Sequence, residues 1–301
     1  MPDNYHVPVM LNEVIGALKI IPNGIYVDCT FGGGGHSKEI LKHLDQNGKL
    51  IVFDHDEDAA KNIPVDSRVI FVPQNFRYLN RFLKLHKIGH INGLLADLGV
   101  SSHQFDEASR GFSTRYDAPL DMRMDIRQEV TAASIVNSYT EEKLHKIFEQ
   151  YGEVTNSKSL AAKIVEVRKH QNISSINNFK DALYDVVKGN PAKYFAQVFQ
   201  SLRIEVNEEL KALEELLIQL PEAMASEGRM VFITFHSLED RLVKNFFKHG
   251  AFEENHESDL FGNRTMAPFK LITKKPLTAS EAELKLNSRS RSAKVRIAEK
   301  K

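Results

Sequence analysis

The sequence predicts an α/β fold, in which an open, doubly wound parallel sheet is interrupted by an all-helical insertion. Four short apolar runs in the first hundred residues alternate with segments of helical spacing. These runs are continuously apolar, which indicates strands buried on both faces, as in a parallel sheet flanked by helices. Beyond them, residues 131–189 show only helical patterns, and a strand-like run returns at 228–235. We therefore divide the chain into a first core part at 1–110, a helical insertion at 111–207 and a second core part at 208–301.

The individual elements follow in the same order. Predicted strands and helices alternate in the first part, the strands at 25–28, 50–54, 69–72 and 93–97, and the helices at 36–44 and 77–86. The insertion carries helical spacing at 141–151, 157–170 and 176–187, and this spacing resumes from 192 to 220. The second part continues with a helix at 238–248 and two short candidate strands at 269–272 and 293–297. Right-handed crossovers between the strands would give the doubly wound arrangement.

Composition excludes several classes of protein. The chain has 301 residues, and its forty Lys and Arg balance forty Asp and Glu. A single cysteine, Cys29, excludes an internal disulfide framework and a cysteine-rich zinc site. No apolar run reaches the length of about 18 residues that a membrane span needs, and the first residues lack the pattern of a signal peptide. We expect a soluble, cytoplasmic protein, and zero net charge by itself disfavours a nucleic-acid partner.

Four consecutive glycines, at positions 32–35, separate the first predicted strand from the first predicted helix. Without side chains, such a loop lets a ligand approach the backbone and the free N–H groups of a helix start. The loop does not fit the G-x-G-x-x-G dinucleotide pattern, because Ser37 and Lys38 stand where the third glycine would be. It also lacks the Gly-Lys-Ser/Thr of a phosphate-binding loop. The plain alternative is a flexible turn.

Acidic residues end three of the predicted strands, namely Asp28, Asp54 and Asp97. Ligands of doubly wound sheets bind at this carboxyl edge, and an acid after the second strand can accept hydrogen bonds from a ribose. Each acid alone could equally be a helix cap. Together with the glycine loop, which has no lysine or arginine for a pyrophosphate, they favour a nucleoside with a positive centre. S-adenosylmethionine fits that description better than NAD or ATP.

Seven sequence blocks resemble the bacterial ribosomal RNA small subunit methyltransferase H family, also called MraW. In order they are DCTFGGGGHS (28–37), LADLGVSS (95–102), RGFS (110–113), PLDMRMD (119–125), FQSLRIEVN (199–207), FHSLEDR (235–241) and RSAKVRIAE (291–299). The resemblance covers essentially the whole chain. It implies a Rossmann-like class I S-adenosylmethionine-dependent methyltransferase with an inserted helical domain that recognises the substrate. It further implies N4-methylation of a cytidine in the decoding region of 16S ribosomal RNA, within the small ribosomal subunit.

The resemblance also implies which residues bind the cofactor: Gly34, Gly35, His36, Asp54, Phe76, Asp97 and Gln104. Asp54 would hold the ribose and Phe76 would cover the adenine face. Asp97 and Gln104 would lie near the transferring methyl group and the amino-acid part of the cofactor. We expect no metal site, because no cysteine or carboxylate completes a tetrahedral set around His36.

The group that takes the proton from the cytosine amine is left open by the sequence. Many methyltransferases of base amines carry a Pro-Pro-aromatic motif after the fourth strand, whereas Asp97 is followed here by Leu-Gly-Val. We name Asp97 and His236 as the catalytic candidates. The alternative for the segment that holds His236 is a helix cap, with Ser237 at the N-cap position. Other candidate acceptors are Ser101, Ser102, Asp121, Asp125 and the rest of the block 236–240.

The basic C-terminal segment and several aromatic and apolar residues are candidates for contacts with partners. Positions 268–301 hold ten Lys and Arg against three acids, so the neutral average conceals a basic C-terminal segment suited to RNA phosphates, or simply a solvated tail. Aromatic residues at 105, 112 and 116 could stack on the target base or merely pack, and apolar faces of the insertion could form a homodimer or cover the core. An RNA-binding assembly factor with a vestigial cofactor site is the alternative function; a small-molecule or protein methyltransferase is a third.

Overall fold

The structure is a computed structural model that describes residues 8–252 and 267–301. The chain forms two compact units, one made of Met1–Gly99 with Leu210–Lys301, the other of Val100–Glu209. The second unit is therefore an insertion in the sequence of the first. It begins at Val100, where the sequence predicts a start at 111, and it ends at Glu209, where the sequence predicts 207.

Among the residues that the structure describes, the first unit is built on one sheet of eight strands, and its parallel part confirms the predicted α/β fold class. The strands are β1 (Ile25–Asp28), β2 (Lys49–Phe53), β3 (Val69–Val72), β4 (Ile91–Asp97), β5 (Met224–Thr234), β6 (Phe269–Leu271), β7 (Leu277–Thr278) and β8 (Lys294–Lys300). Their order is β3-β2-β1-β4-β5-β8-β6, with β7 also paired to β8. Strands β1 to β5 pair in parallel, whereas β8 runs antiparallel to β5, β6 and β7.

Helices cover both faces of this sheet. They are α1 (Leu11–Leu18), α2 (Gly35–His43), α3 (Leu79–Leu85), α10 (Glu209–Ala223) and α11 (Ser237–His249), and a short helix α12 (Glu281–Leu286) precedes β8. On one face, apolar side chains of α3, α10 and α11 pack on strand residues such as Val27 and Phe232. On the other face, α1 and α2 pack on residues such as Tyr26 and Val231. Neighbouring strand residues thus enter opposite cores, which explains why the strands are continuously apolar in sequence.

The second unit is entirely helical around a separate core, which contains Phe148, Leu160, Phe179 and Leu202. Its helices are α4 (Ser102–Asp106), α5 (Ala132–Ser138), α6 (Glu141–Gln150), α7 (Ser157–Val167), α8 (Ile176–Leu183) and α9 (Pro191–Asn207). The predicted helical stretch at 192–220 is two helices, because Glu208 takes a left-handed conformation (φ 48°) that ends α9.

The basic C-terminal segment is folded into the sheet, so the alternative of a solvated tail is wrong. Strand β8 lies between β5 and β6, and its Arg296 donates a two-pronged hydrogen bond to Asp240 of α11 (2.6 and 2.9 Å). Glu299 of the same strand is paired with Arg229 (2.8 Å) and Lys270 (3.3 Å). Several of the basic residues therefore stabilise the sheet. Within the described ranges, no helix is both long and apolar enough to cross a membrane.

Candidate cofactor site

Polar residues follow four neighbouring strands at one edge of the parallel sheet. Asp28 ends β1 and Asp97 ends β4, while Asp54 comes directly after β2 and His236 two residues after β5. Because parallel strands end at the same edge, the sheet order places these residues side by side. The predicted acidic edge is thus the carboxyl edge of the sheet, where open α/β folds bind their ligands.

The glycine loop turns sharply between β1 and α2. Gly32 and Gly34 have positive φ angles (52° and 72°), a conformation that other residues rarely adopt. A Cβ on Gly34 would come within 2.9 Å of the ring of Phe31, whereas a Cβ on Gly33 would meet no atom within 4 Å. Gly33 therefore faces open space at the start of α2, where the first helical N–H groups have no acceptor within the helix.

Asp54 fixes the loop to the neighbouring strand. Its Oδ2 accepts a hydrogen bond from Gly32 N (2.7 Å), and its Oδ1 accepts one from Asp56 N (2.9 Å). The Gly32 carbonyl oxygen accepts from Asn62 Nδ2 (3.0 Å) on the other side. Burial raises the pKa of Asp54 to about 6, although the two backbone N–H groups favour its charged form. Asp54 is half-buried as a residue, and each carboxylate oxygen that accepts one hydrogen bond retains a second lone pair for another donor.

A hydrogen-bond network connects β1 with the end of β4. The buried carboxylate of Asp28 accepts from Ser37 Oγ (2.6 Å) and from Thr30 N (3.1 Å). The hydroxyl oxygen of Thr30 in turn accepts from the backbone N–H of Asp97 (2.7 Å). Burial raises the pKa of Asp28, and the hydrogen bond from Ser37 partly offsets that effect. This network fixes where Asp97 lies relative to the glycine loop.

Asp97 is the residue with the most strongly perturbed surroundings at this edge. Its Oδ1 is buried and has no hydrogen-bond partner in the described part of the chain, and its Oδ2 lies 3.9 Å from His36 Nδ1. Burial raises its pKa to about 8, and the negative charges of Asp28 and Glu239 add to the rise. A carboxyl group with one buried oxygen in such negative surroundings favours a positively charged ligand, because a cation beside it stabilises the ionised form.

His36 is buried, and a backbone carbonyl group of the N-terminal segment binds its ring. Its Nε2 lies 3.0 Å from the carbonyl oxygen of Val9. A carbonyl oxygen only accepts, so Nε2 carries the proton and, in the neutral ring, Nδ1 is the unprotonated nitrogen that faces Asp97. The side chain of His36 therefore connects the N-terminal segment to the acidic edge.

His236 lies at the N-cap position of α11, so the prediction that Ser237 is the cap is wrong. The helix begins at Ser237, and the buried carboxylate of Glu239 satisfies the helix start by accepting from Phe235 N (2.8 Å) and His236 N (3.4 Å). Glu239 Oε1 also lies 3.1 Å from His236 Nε2. Neither ring nitrogen has a hydrogen bond of good geometry among the described residues. His236 thus combines a buried ring with one acidic neighbour.

Phe76 lies after β3, in the first unit. It begins a short 3₁₀ turn (Phe76–Tyr78), whose start is capped by the side chain of Asn75, and it is half-buried against the sheet core. The adjoining edge of the sheet carries Asp54, whose backbone N–H donates to the carbonyl of Val72 in β3 (3.2 Å). The sheet order therefore places Phe76 next to the strand end that holds Asp54.

The remaining candidates belong to the second unit. Gln104 is buried in α4, where its Oε1 accepts from Ser101 N (3.0 Å) while Ser101 Oγ accepts from Gln104 N (3.1 Å). Asp121 and Asp125 each bind a neighbouring arginine, Arg123 or Arg127, through paired hydrogen bonds. These bonds occupy the two carboxylates. Of the loop aromatics, Phe112 is buried in the helical core, Phe105 packs against it, and Tyr116 is exposed.

Two contributors to this edge escape sequence reasoning. Thr30 belongs to the family block at 28–37, but only the structure shows that its hydroxyl oxygen accepts a hydrogen bond from the backbone N–H of Asp97. Val9 acts through its carbonyl oxygen, so its residue type carries no signal. The sequence contains one clue: an aspartate in a buried strand needs hydrogen-bond donors, and Thr30 and Ser37 follow Asp28 by two and nine positions.

The edge fits S-adenosylmethionine in three respects. The glycine loop has open space at Gly33, Asp54 presents a half-buried carboxylate, and Asp97 has a buried oxygen without a partner among residues 8–252 and 267–301. A positive centre suits this acidic environment, and the loop carries no basic side chain for a pyrophosphate. Fold and site together define a class I S-adenosylmethionine-dependent methyltransferase.

Comparison with known proteins identifies the particular family. The model of the MraW methylase family matches residues 3–301, so the chain belongs to that family and the resemblance seen in the sequence is confirmed. Three proteins named ribosomal RNA small subunit methyltransferase H illustrate the similarity. Those from Bacteroides fragilis (52% identical, 99% of this chain, 98% of the relative), Azobacteroides pseudotrichonymphae (54%, 98% and 97%) and Flavobacterium psychrophilum (52%, 97% and 100%) align over nearly their full lengths.

The raised pKa of Asp97 predicts how the Asp97→Asn variant changes stability with pH. In the unfolded chain the carboxyl ionises near pH 3.8, whereas in the folded protein it ionises near pH 8. The folded state thus binds the extra proton, and wild-type stability falls as pH rises between these values. Asparagine does not ionise, so the variant does not lose this part of its stability as pH rises. Urea unfolding of the cofactor-free protein at pH 5 and pH 9 measures the effect.

We expect the free energy of unfolding of the variant, relative to that of wild type, to be higher at pH 9 than at pH 5. The difference should be at least about 1.4 kcal/mol, which corresponds to one pKa unit. Glu57→Gln, which removes an exposed carboxylate of the same unit, should differ from wild type by no more than about 0.5 kcal/mol at either pH. An equal pH dependence in wild type and Asp97→Asn would show that Asp97 ionises normally.

Proposed function

We propose that this methyltransferase transfers a methyl group from S-adenosylmethionine to the exocyclic N4 amine of a cytidine in the decoding region of 16S ribosomal RNA. Membership of the MraW methylase family and the name shared by the relatives support the ribosomal RNA substrate. The observation that carries the proposal is the acidic carboxyl edge, where Asp97 has a buried oxygen without a partner in the described chain.

The residues proposed to hold the cofactor divide by chemistry. Gly34 and Gly35 offer backbone at the start of α2, and Asp54 offers a carboxylate for the ribose hydroxyls. Phe76 supplies an aromatic face for the adenine, and Gln104 is assigned to the amino-acid part. The bound cofactor supplies a methyl group already activated by the sulfonium. The protein therefore has mainly to align the amine and to exclude water.

The amine must lose one proton when N4 gains its methyl group. Asp97 would accept that proton at Oδ1, in the ionised form that a positive charge beside it favours. His236 is the second proposed acceptor, because it lies two residues after the neighbouring strand β5. Among the described residues, its Nε2 pairs with one acid, Glu239, at 3.1 Å. Both groups would also orient the amine, since an acceptor on its N–H bond exposes the nitrogen lone pair.

Recognition of the RNA is proposed for two regions. The helical unit would bind the substrate around the target base, which must be accessible or flipped out of its stack. The C-terminal segment retains exposed cations that suit phosphates, namely Lys274, Lys275, Lys285 and Arg291. We place the reaction in the cytoplasm, on the small ribosomal subunit. A homodimer stays a prediction, and within the helical unit large apolar side chains such as Phe148 and Phe179 are buried in its own core.

Methyl transfer to each substrate class distinguishes the proposal from its alternatives. The wild-type protein is incubated with methyl-labelled S-adenosylmethionine and either naked 16S ribosomal RNA, assembled small subunits or protein alone. We expect label in RNA, at N4 of a single cytidine after nuclease digestion. Label only in protein would contradict the RNA substrate, and RNA binding without any label would favour the assembly factor. Asp97→Ala serves as the inactive control.

The His236→Ala variant tests the second acceptor. We expect its single-turnover methylation rate to fall by roughly tenfold or more, because a positioned proton acceptor contributes on the order of a hundredfold or more to such steps. Cofactor affinity should change little. The matched control is His90→Ala, since His90 is exposed in the same unit. An unchanged single-turnover rate for His236→Ala would leave Asp97 as the acceptor.

A further inference from the structure

A chain of contacts leads from His36, one of the residues that the family resemblance assigns to the cofactor, to the C-terminal segment. It begins at His36, whose Nε2 lies 3.0 Å from the carbonyl oxygen of Val9. The next residue, Met10, donates its backbone N–H to Glu283 Oε1 of α12 (3.1 Å). All of these residues belong to the first unit. The contact between Met10 and Glu283 spans 273 positions of sequence.

Glu283 is itself held in place. The same oxygen, Oε1, accepts a hydrogen bond from the hydroxyl of Ser290 (2.6 Å), and Ser290 is fully buried. The backbone N–H of Glu283 donates to Ser280 Oγ at the start of α12 (3.2 Å). A carboxylate fixed at both its side chain and its backbone can impose a position on the residue that donates to it.

Met10 needs such a partner because its backbone is in the left-handed region (φ 50°, ψ 43°), which a long side chain rarely adopts. Its carbonyl oxygen starts α1 by accepting from Val14 N (3.0 Å), and its side chain is buried. The turn thus points the Met10 N–H towards Glu283 while the preceding carbonyl, that of Val9, points towards His36. Pro8 adds a steric constraint, since a Cβ on Gly35 would overlap its ring.

We propose that Glu283 is a positioning residue for the cofactor site: its carboxylate fixes the turn at Val9 and Met10, and the Val9 carbonyl fixes His36 with Nδ1 towards Asp97. His36 is then the intermediate between the C-terminal helix and the acidic edge, where its Nδ1 lies 3.9 Å from Asp97 Oδ2. The remaining charged groups at Asp97 are Asp28 and Glu239.

Nitrogen NMR of the histidine rings tests the first half of the proposal in the intact protein. Long-range ¹H–¹⁵N spectra of the cofactor-free wild type, with His36 assigned by a His36→Gln variant, report which ring nitrogen carries the proton. We expect the Nε2–H form. A neutral ring protonated at Nδ1 would overturn the proposal without any variant at Glu283.

The Glu283→Ala variant tests the second half. With Glu283 shortened, we expect the ring signals of His36 to shift towards a mixture of tautomers and the Kd for S-adenosylmethionine to rise by roughly three- to tenfold, as for the loss of one or two hydrogen bonds. Glu283→Gln keeps an acceptor oxygen and should restore most of both readouts. Glu281→Ala removes an exposed acid from the first turn of the same helix and is the matched control.

The outcomes separate a positioning role from a purely structural one. A lower Tm for Glu283→Ala with unchanged His36 signals and unchanged Kd would overturn the proposal. If that variant does not fold, Ser290→Ala, which removes only the hydrogen bond that orients Glu283, should move both readouts in the same direction by a smaller amount. The proposal concerns cofactor binding, and none of these measurements uses RNA. A result that excludes ribosomal RNA as the substrate would leave the expected NMR and Kd results unchanged.

Discussion

The three carboxylates at the ends of neighbouring parallel strands are the constraint on which this site depends. Asp28, Asp54 and Asp97 share one sheet edge, and the pKa of each is raised chiefly by burial. Such groups cost folding free energy whenever they ionise in the folded state. The protein tolerates them because hydroxyl and backbone N–H groups satisfy Asp28 and Asp54, whereas Asp97 keeps one buried oxygen without a partner in the described chain. A cationic ligand would relieve that cost.

The rest of the edge follows from holding these groups in position. The glycine loop allows Gly32 to donate to Asp54, and Thr30 joins Asp28 to the backbone of Asp97. The carbonyl oxygen of Val9, in the N-terminal turn, holds the ring of His36. Strand β8 pairs with β5, the strand that leads to His236, so the C-terminal segment supports the edge at which substrate and cofactor are proposed to meet.

Much of this arrangement could be predicted from local sequence. Continuous apolar runs located the five parallel strands, and the acids at their ends located the carboxyl edge. The apolar pattern of a strand and the position of its end are local properties, so they can be recognised in the sequence without knowledge of the tertiary structure. The family blocks then supplied the cofactor class. They could do so because long motifs in a fixed order rarely coincide by chance.

The features that could not be predicted depend on contacts between distant residues. The left-handed conformation of Glu208 divides one expected helix into two, and a glutamate gives no local signal for a conformation that residues other than glycine rarely adopt. The pairing of basic residues of β8 with acids such as Asp240 could not be predicted, because these partners lie far away in sequence. The hydrogen bond from Met10 to Glu283 has no local signal at all.

The most direct test of the cofactor site is calorimetric binding of S-adenosylmethionine to wild type and to Asp54→Asn. Because hydrogen bonds to a charged group contribute about 1.5–3 kcal/mol, we expect the Kd of the variant at pH 7.5 to be at least about tenfold higher. The ratio should shrink towards one at pH 5, since the pKa of Asp54 is about 6 and its protonation makes the wild-type group neutral too. Asp58→Asn is the control and should bind as wild type does, because the carboxylate of Asp58 pairs with Lys61 (2.6 Å) in the short turn Glu57–Asn62. Equal affinities of Asp54→Asn and wild type at pH 7.5 would contradict the assignment of this sheet edge to the cofactor.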